Sequence, residues 1–382
     1  VENNGGFIGE KEIFNTIALT RVGFFSLTEM GQLYRAAGSA TAIIEQRERL
    51  NDLFPGVSPR LVRCLSDMDE AFRRAETEME FIAAHGITAL PLSDVRYPSR
   101  LRDCCDAPLI LFYKGNADLN PKHVLNIIGT RHMTVYGSDR IKQFIAELKN
   151  LCPDTLIVSG LAYGVDICAH RQALENGFPT VGVLAHGLDY LYPVRHKETA
   201  ARMVKQGGLL TEFLTMTNAD KMNFVRRNRI VAGMSDACVL VESAAHGGGL
   251  ITARISQSYE REVFAFPGRA GDPYSEGCLN LIKHNVASLI TSAEDVTSAL
   301  GWTSEQVLEG ARQSGIQRDL FPDLSAEERL IVHCLQEKND LPLDFLTYRS
   351  GLPVQQLSSL LFSLEMKGVV RQMAGGVTHL HT

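Results

Sequence analysis

The chain has 382 residues, 45% of them hydrophobic and 21% charged, with a formal net charge of -6. That length points to two or three domains, and that composition to an ordinary water-soluble globular chain able to bury a large core. No apolar run approaches the roughly 20 residues of a membrane span, and the acidic balance argues against indiscriminate nucleic-acid binding while leaving room for a local basic groove.

The chain begins Val1-Glu-Asn-Asn-Gly-Gly, with no positive segment followed by an apolar one, so no secretory signal is expected. Residues 1–85 read as a first, helical domain, with helices from about residue 9. Within it, Pro55-Gly56-Val57-Ser58-Pro59 resembles a helix-hairpin-helix turn with serine at the second glycine position. That segment is either a phosphate-holding hairpin or a plain helical packing module. Residues 86–123 contain two strand-like pieces, Ile87 to Leu90 and Leu109 to Tyr113. The adjacent Cys104-Cys105 pair belongs to eight cysteines that form no Cys-x-x-Cys and no Cys/His zinc spacing. Reduced core cysteines of a cytoplasmic protein are expected, and no metal site.

From residue 124 short apolar runs alternate with helix-length amphipathic stretches: Val124 to Ile128, Leu156 to Val158, Thr180 to Leu184, Gly208 to Thr211, Ala237 to Val241, Val263 to Phe266 and Ala287 to Ile290. Fully apolar, β-branched runs with helices between them imply buried parallel strands and a doubly wound α/β sheet. This second domain covers 86–300. Residues 301–324 are polar and aperiodic and read as a linker. Residues 325–382 form a compact tail. Ser325-Ala-Glu-Glu328 is a capping box opening a helix, two further helical segments follow, and Gly368 to Val377 reads as a hairpin. Helices followed by a small hairpin suggest a winged helix-turn-helix, whose second helix is poor in Lys and Arg. Protein contact fits that helix at least as well as duplex binding.

In a parallel sheet, ligands bind beyond the carboxyl ends of the strands. After Ile127-Ile128 come Gly129-Thr130-Arg131, a glycine that admits close approach and an arginine able to grip a phosphate in a bidentate way. After Ile157-Val158 come Ser159-Gly160-Leu-Ala-Tyr163-Gly164-Val-Asp166, a glycine-rich turn into a helix that can present amides to an anion. After Val241 come Glu242 and the Gly247-Gly248-Gly249 run. None is a dinucleotide or P-loop fingerprint, and tight strand-to-helix turns use glycine for geometry alone.

The densest cationic stretch is Lys221-Met-Asn-Phe224-Val-Arg226-Arg227-Asn228-Arg229. At about 100° per residue, Lys221, Phe224 and Asn228 share one helical face, with Arg227 beside them, Arg229 on a flank and Arg226 nearly opposite. Either Lys221 and Arg227 hold phosphates while Phe224 stacks a base, or Phe224 faces a core and the arginines form solvated ion pairs. Asp166 and His170, four residues apart, suggest a structural hydrogen bond more than a catalytic pair. Glu242 suits a ribose hydroxyl or the capping of the glycine loop. No Gly-x-Ser-x-Gly elbow exists, and no convincing nucleophile.

Ile-Ile-Gly129-Thr130-Arg131, Ser159-Gly160-Leu-Ala-Tyr-Gly164-Val-Asp166-Ile-Cys-Ala-His170, Gly187-Leu-Asp-Tyr-Leu-Tyr192-Pro193, Phe224-x-x-Arg227-Asn228-Arg229, Gly249-Leu-Ile-Thr252-Ala253 and Phe266-Pro267-Gly268 follow one another in an order that resembles the DNA-processing protein A (DprA, or Smf) family. The resemblance implies an extended Rossmann-like domain, a sterile-alpha-motif or hairpin-type helical domain before it and a winged helix after it. It also implies a cytoplasmic, non-catalytic homodimer without a cofactor. Such a protein binds incoming single-stranded DNA during natural transformation and helps load the RecA recombinase, also on strands covered by single-strand-binding protein. The family's DNA contacts carry over to Arg131, Lys221 and Phe224, with Arg227, Asn228 and Arg229 in the same motif and Gly129, Thr130, Ser159 and Gly160 in the neighbouring loops. The family's Ser-Gly-Ser before Leu-Ile-Thr-Ala is Gly247-Gly248-Gly249 here, so that loop is left out of the candidate site. A rival reading is a phosphoribohydrolase-like nucleotide hydrolase on a similar core. Its Pro-Gly-Gly-x-Gly-Thr loop is lacking. A third is a transcription regulator binding duplex through the tail.

Overall fold

The computed structural model describes residues 9–22, 27–302, 324–338, 341–367, 369–373 and 376–380. The chain divides into two compact units, Val1–Leu308 and Glu309–Thr382. The linker read at 301–324 lies, apart from Gly301, Trp302 and Leu324, outside the described residues.

The first unit opens with helices α1 (Glu10–Arg21), α2 (Leu27–Ala37), α3 (Ala40–Glu45), α4 (Leu50–Leu53), α5 (Pro59–Ser66) and α6 (Asp69–His85). Their buried residues, among them Ile17, Leu33, Ile43 and Leu61, join the same hydrophobic core as one face of the sheet that follows. Between α4 and α5, Ser58 caps α5 through its hydroxyl. Its backbone amide donates to the Glu29 carboxylate at 2.9 Å. A carboxylate already occupies an amide that a phosphate-binding hairpin would offer its ligand, so this segment is a packing module.

Strands β1 (Thr88–Pro91) and β2 (Ile110–Gly115), with α7 (Ser99–Arg102) between them, form an antiparallel extension of the sheet. The parallel part consists of β3 (His123–Ile128), β4 (Thr155–Ser159), β5 (Thr180–Val183), β6 (Gly208–Thr211), β7 (Ala237–Leu240), β8 (Glu262–Ala265) and β9 (Ser288–Leu289). Between these strands run α8 (Val135–Leu151), α9 (Val165–Glu175), α10 (Lys197–Gln206), α11 (Lys221–Gly233), α12 (Gly248–Ser258) and α13 (Glu276–Lys283). Helix α14 (Ala293–Ala299) follows β9. Among the described residues the strand order is β1-β2-β6-β5-β4-β3-β7-β8-β9. The order reverses at β3, which pairs with β4 on one side and β7 on the other.

Successive strand residues point to opposite faces, and in β3 to β7 both faces are buried. Val124 and Ile128 of β3 join one core with Ile230 and Val231 of α11 and the N-terminal helices. Leu125 and Ile127 join the other with Phe144 of α8 and Ala169 of α9. This double burial is why the strands are continuous apolar runs in the sequence. Asn126 interrupts the run, fully buried, and neither its carbonyl oxygen nor its amide nitrogen has a protein partner. All described cysteines are free thiols, five of them buried. No helix among the described residues is long and apolar enough to cross a membrane.

The second unit contains α15 (Ala326–Glu337), α16 (Leu343–Ser350) and α17 (Val354–Met366), with β10 (Leu341–Pro342), β11 (Val370–Met373) and β12 (Val377–Leu380) in the order β10-β12-β11. This is the expected winged arrangement. The capping box at Ser325 and Glu328 is formed. Glu328 also accepts from the Lys367 ammonium at 2.9 and 2.7 Å; against the upward pull of burial, these contacts and the donors of Ser325 and Ser363 hold its carboxyl down to about 2. The cation at the end of the second helix of the motif therefore serves the unit's own packing.

Candidate nucleic-acid interface

The reversal of strand order at β3 opens a crevice at its carboxyl end, the position where doubly wound sheets bind ligands. Three chain segments converge there: the loop after β3, the loop after β4 and the first turns of α11.

The loop after β3 is anchored from below. The Thr130 amide donates to the Glu242 carbonyl at 2.8 Å. The Thr134 amide donates to the Glu242 carboxylate at 2.9 Å, and so does the Thr134 hydroxyl. Glu242 thus secures the entry to α8; neither a ribose contact nor capping of its own glycine loop is its role. Arg131 is left exposed at the tip. Its guanidinium carbon lies 4.9 Å from the centre of the Phe224 ring, in cation–π range.

The loop after β4 is held by two buried charges acting on one residue. The Gly160 amide donates to the Asp166 carboxylate at 3.1 Å, and the Gly160 carbonyl accepts from the Arg227 guanidinium at 2.5 Å. A methyl group at residue 160 would sit 2.2 Å from that guanidinium, so any larger residue would have to push Arg227 off its carbonyl partners. Arg227 also donates to the Val183 carbonyl, joining this loop to the end of β5. Gly164, at φ +76°, turns the chain into α9, and a side chain there would strike the Thr130 carbonyl at 2.2 Å. Burial draws the Arg227 pKa down to about 10, with Asp166 acting against the shift, so the guanidinium stays charged at neutral pH.

These contacts correct the sequence reading at several residues. Arg227 is buried and bound to carbonyls, so it shapes the loop and offers no phosphate grip. Arg229 is buried too. It pairs with the Glu212 carboxylate at 2.5 Å and donates to the Asp106 carbonyl. Arg226 reaches the same Glu212 oxygen at 2.7 Å, away from the crevice. The Ser159 hydroxyl, fully buried, donates to the Ile127 carbonyl at 2.6 Å and does not line the crevice. Asp166 and His170 do not bond each other: His170 Nδ1 donates to the Thr180 hydroxyl at 2.7 Å.

What the structure brings together is a shallow notch. Arg131, Gly160, Tyr163 and Phe224 line it with Leu161, Ala162 and the 184–185 and 192–193 segments, around a cavity of about 10 Å³. Gly129 and Thr130 lie behind Arg131 and let the loops approach. Phe224 is half-buried, and the Tyr192 ring sits 5.9 Å from it at 59°. Lys221, exposed, stands one turn before Phe224, and no ion pair engages it among the described residues. Asn228 is half-buried one turn beyond Phe224 and does not line the notch. Tyr163 and Tyr192 were visible in the sequence, but only the fold sets them beside Phe224.

Burial also governs a titration beneath the site. Burial and the nearby Arg227 lower the His170 pKa from 6.5 to about 3. The unfolded chain takes that proton near pH 6.5 and the folded chain only near 3, so protons favour unfolding between the two. Melting temperature is expected to fall as pH drops through this window, and His170→Leu to flatten part of the decline. An identical pH profile in the variant would refute the assignment.

A family model described as DNA recombination-mediator protein A matches residues 88–301, and one described as DprA winged helix domain matches residues 319–376. Protein Smf of Escherichia coli (strain K12) is 34% identical over 299 residues, 76% of this chain and 77% of its own length. DNA processing protein DprA of Streptococcus pneumoniae is 38% identical over 200 residues, 52% of this chain and 70% of its own. The X-ray structure of DNA processing protein A from Streptococcus pneumoniae superposes with a TM-score of 0.63 at 30% identity, covering 75% of this chain and 97% of that one. A structure of DNA processing protein A from Helicobacter pylori, described for its single-stranded DNA binding mode, superposes with a TM-score of 0.51 at 26% identity, covering 56% of this chain and 95% of that one.

Proposed function

The chain belongs to the DNA recombination-mediator protein A family, and we propose that it binds single-stranded DNA across the notch between Arg131 and Phe224 and delivers it to a recombinase. The observation that carries this reading is the meeting of an exposed arginine and a half-buried phenyl ring at the sheet's switch point. Arg131 and Lys221 neutralise phosphates, and Phe224, with Tyr192 at its edge, offers a face to a base. Membership of the family supports, as parts of this proposal, strand protection, RecA loading and cooperation with single-strand-binding protein in natural transformation, a homodimer and work in the cytoplasm.

The rival hydrolase reading fits less well. Pockets that bury a small ligand run to roughly 300–1,000 Å³ and are mostly apolar, whereas this notch encloses about 10 Å³ and the adjoining space of about 400 Å³ is open and lined by Arg131, Lys142 and Arg171. Glu242, the carboxylate nearest the glycine loop, is occupied by Thr134. A shallow, ring-floored notch suits one base of a polymer, and we read the site as binding without chemistry.

The test is a salt titration of the full chain on single-stranded and duplex oligonucleotides. Single strands should be preferred. Arg131→Ala and Lys221→Ala should each flatten the logarithmic salt dependence by about 0.7, one released counterion per lost contact. Arg226→Ala should leave it unchanged. Preference for duplex, or equal effects of Arg226→Ala and Lys221→Ala, would sink the reading.

A further inference from the structure

On the far side of the contact between Gly164 and Thr130 lies an open groove of about 400 Å³ between α8 and α9. Arg131 lines both this groove and the Phe224 notch, so it marks the saddle between them. Lys142 lines one wall of the groove from α8, one turn beyond Ser138. Arg171 lines the other from α9, and its Nε donates to the Thr199 hydroxyl at 3.3 Å, which sets the direction of the guanidinium. Both are exposed, and neither has a carboxylate within ion-pair distance among the described residues. The groove's carboxylate, Glu175, instead accepts from the Gln172 amide at 2.7 Å. Three cations against one carboxylate make the groove positive in a chain whose net charge is -6.

The groove is too polar to bury a base and has no aromatic ring on its walls apart from the edge residue His132. Cations on opposed walls suit a backbone instead. We propose that the groove is a second phosphate subsite, in which Lys142 and Arg171 hold the backbone of a single strand as it passes over Arg131 out of the notch. This rests on the reading of the notch as a strand-binding site. The ligand chemistry is a run of phosphates, supplied by a nucleic-acid strand; a free polyphosphate would offer the same groups.

The experiment compares the full chain with the pair Lys142→Ala, Arg171→Ala on oligothymidylates of increasing length, by fluorescence anisotropy across a salt series. For long oligonucleotides the pair should flatten the logarithmic salt dependence by about 1.4, two contacts at about 0.7 each. For the shortest oligonucleotide that binds, the pair should match the wild-type chain. The charge-keeping pair Lys142→Arg, Arg171→Lys, which guards against a folding defect, should retain the wild-type slope; its loss there would refute the electrostatic role. An alanine pair with wild-type slope at every length overturns this proposal and leaves the notch untouched. A wild-type chain that binds no oligonucleotide overturns both. Inorganic tripolyphosphate is the competing probe: binding that depends on Lys142 and Arg171 while long-strand affinity does not would make the groove a small-anion site and refute the strand path.

Discussion

Arg227→Met is expected to cost about 3–5 kcal/mol of folding stability, the range for removing one member of a buried charge network and leaving the other behind. Two carbonyls, those of Gly160 and Val183, lose a donor at once, and the buried Asp166 carboxylate, held by the Gly160 and Ala162 amides, loses the positive charge near it. Methionine fills much of the volume but donates nothing. Urea unfolding monitored by far-ultraviolet circular dichroism measures the loss, and a change below about 1 kcal/mol, the scale of a surface pair, would refute a structural role. Adding Asp166→Asn should recover part of the stability, because the uncompensated charge is gone. DNA binding supplies a second readout. If Arg227 shapes the loop and touches no phosphate, whatever binding survives keeps the wild-type salt slope. A slope reduced as in Arg131→Ala would restore the sequence-based expectation that Arg227 grips the strand.

Phe224→Ala is expected to weaken single-strand binding by about 1–3 kcal/mol, the usual worth of one stacked base, or roughly 5- to 150-fold. The salt slope should stay unchanged, since no charge is removed. This separates stacking from the phosphate contacts of Arg131 and Lys221. Phe224→Trp should retain most of the affinity, because the site needs a flat face and no specific hydrogen bond. Unchanged affinity in Phe224→Ala, measured by anisotropy at fixed salt, would show that the ring serves packing alone.

Most of the sheet was legible because β3 to β7 are buried on both faces and therefore leave largely apolar runs, whereas the two residues of the edge strand β9 are exposed. Each of the seven parallel strands lies within or overlaps a segment such as Val124 to Ile128 or Ala237 to Val241. The capping box at Ser325 was legible because its partners are three residues apart. The arginines of α11 were not. Helical phase orders residues around one helix, but it does not say how many sides of that helix are covered. Arg227 finds its partners 67 and 44 residues away and Arg229 its carboxylate 17 residues away, all brought in by strand order. The same holds for Asp166. Its spacing to His170 suggested a bond along the helix, whereas the loop before it supplied two amides instead. The glycine loops were recognisable as tight turns, yet the reason for Gly160, a guanidinium where a methyl group would be, becomes visible only in three dimensions.

The guanidinium of Arg131 over the Phe224 ring has a consequence for discrimination. On the proposed function, the ring is already covered before a ligand arrives, so a base must compete with a cation for the same face. A free nucleobase gains a stack and breaks one, with little left over. A base attached to a phosphodiester brings its own anion, which gives the displaced guanidinium a better partner than the ring it leaves. On that function the site favours polymer over free nucleobases and nucleosides, and this selectivity requires no contact that reads sequence.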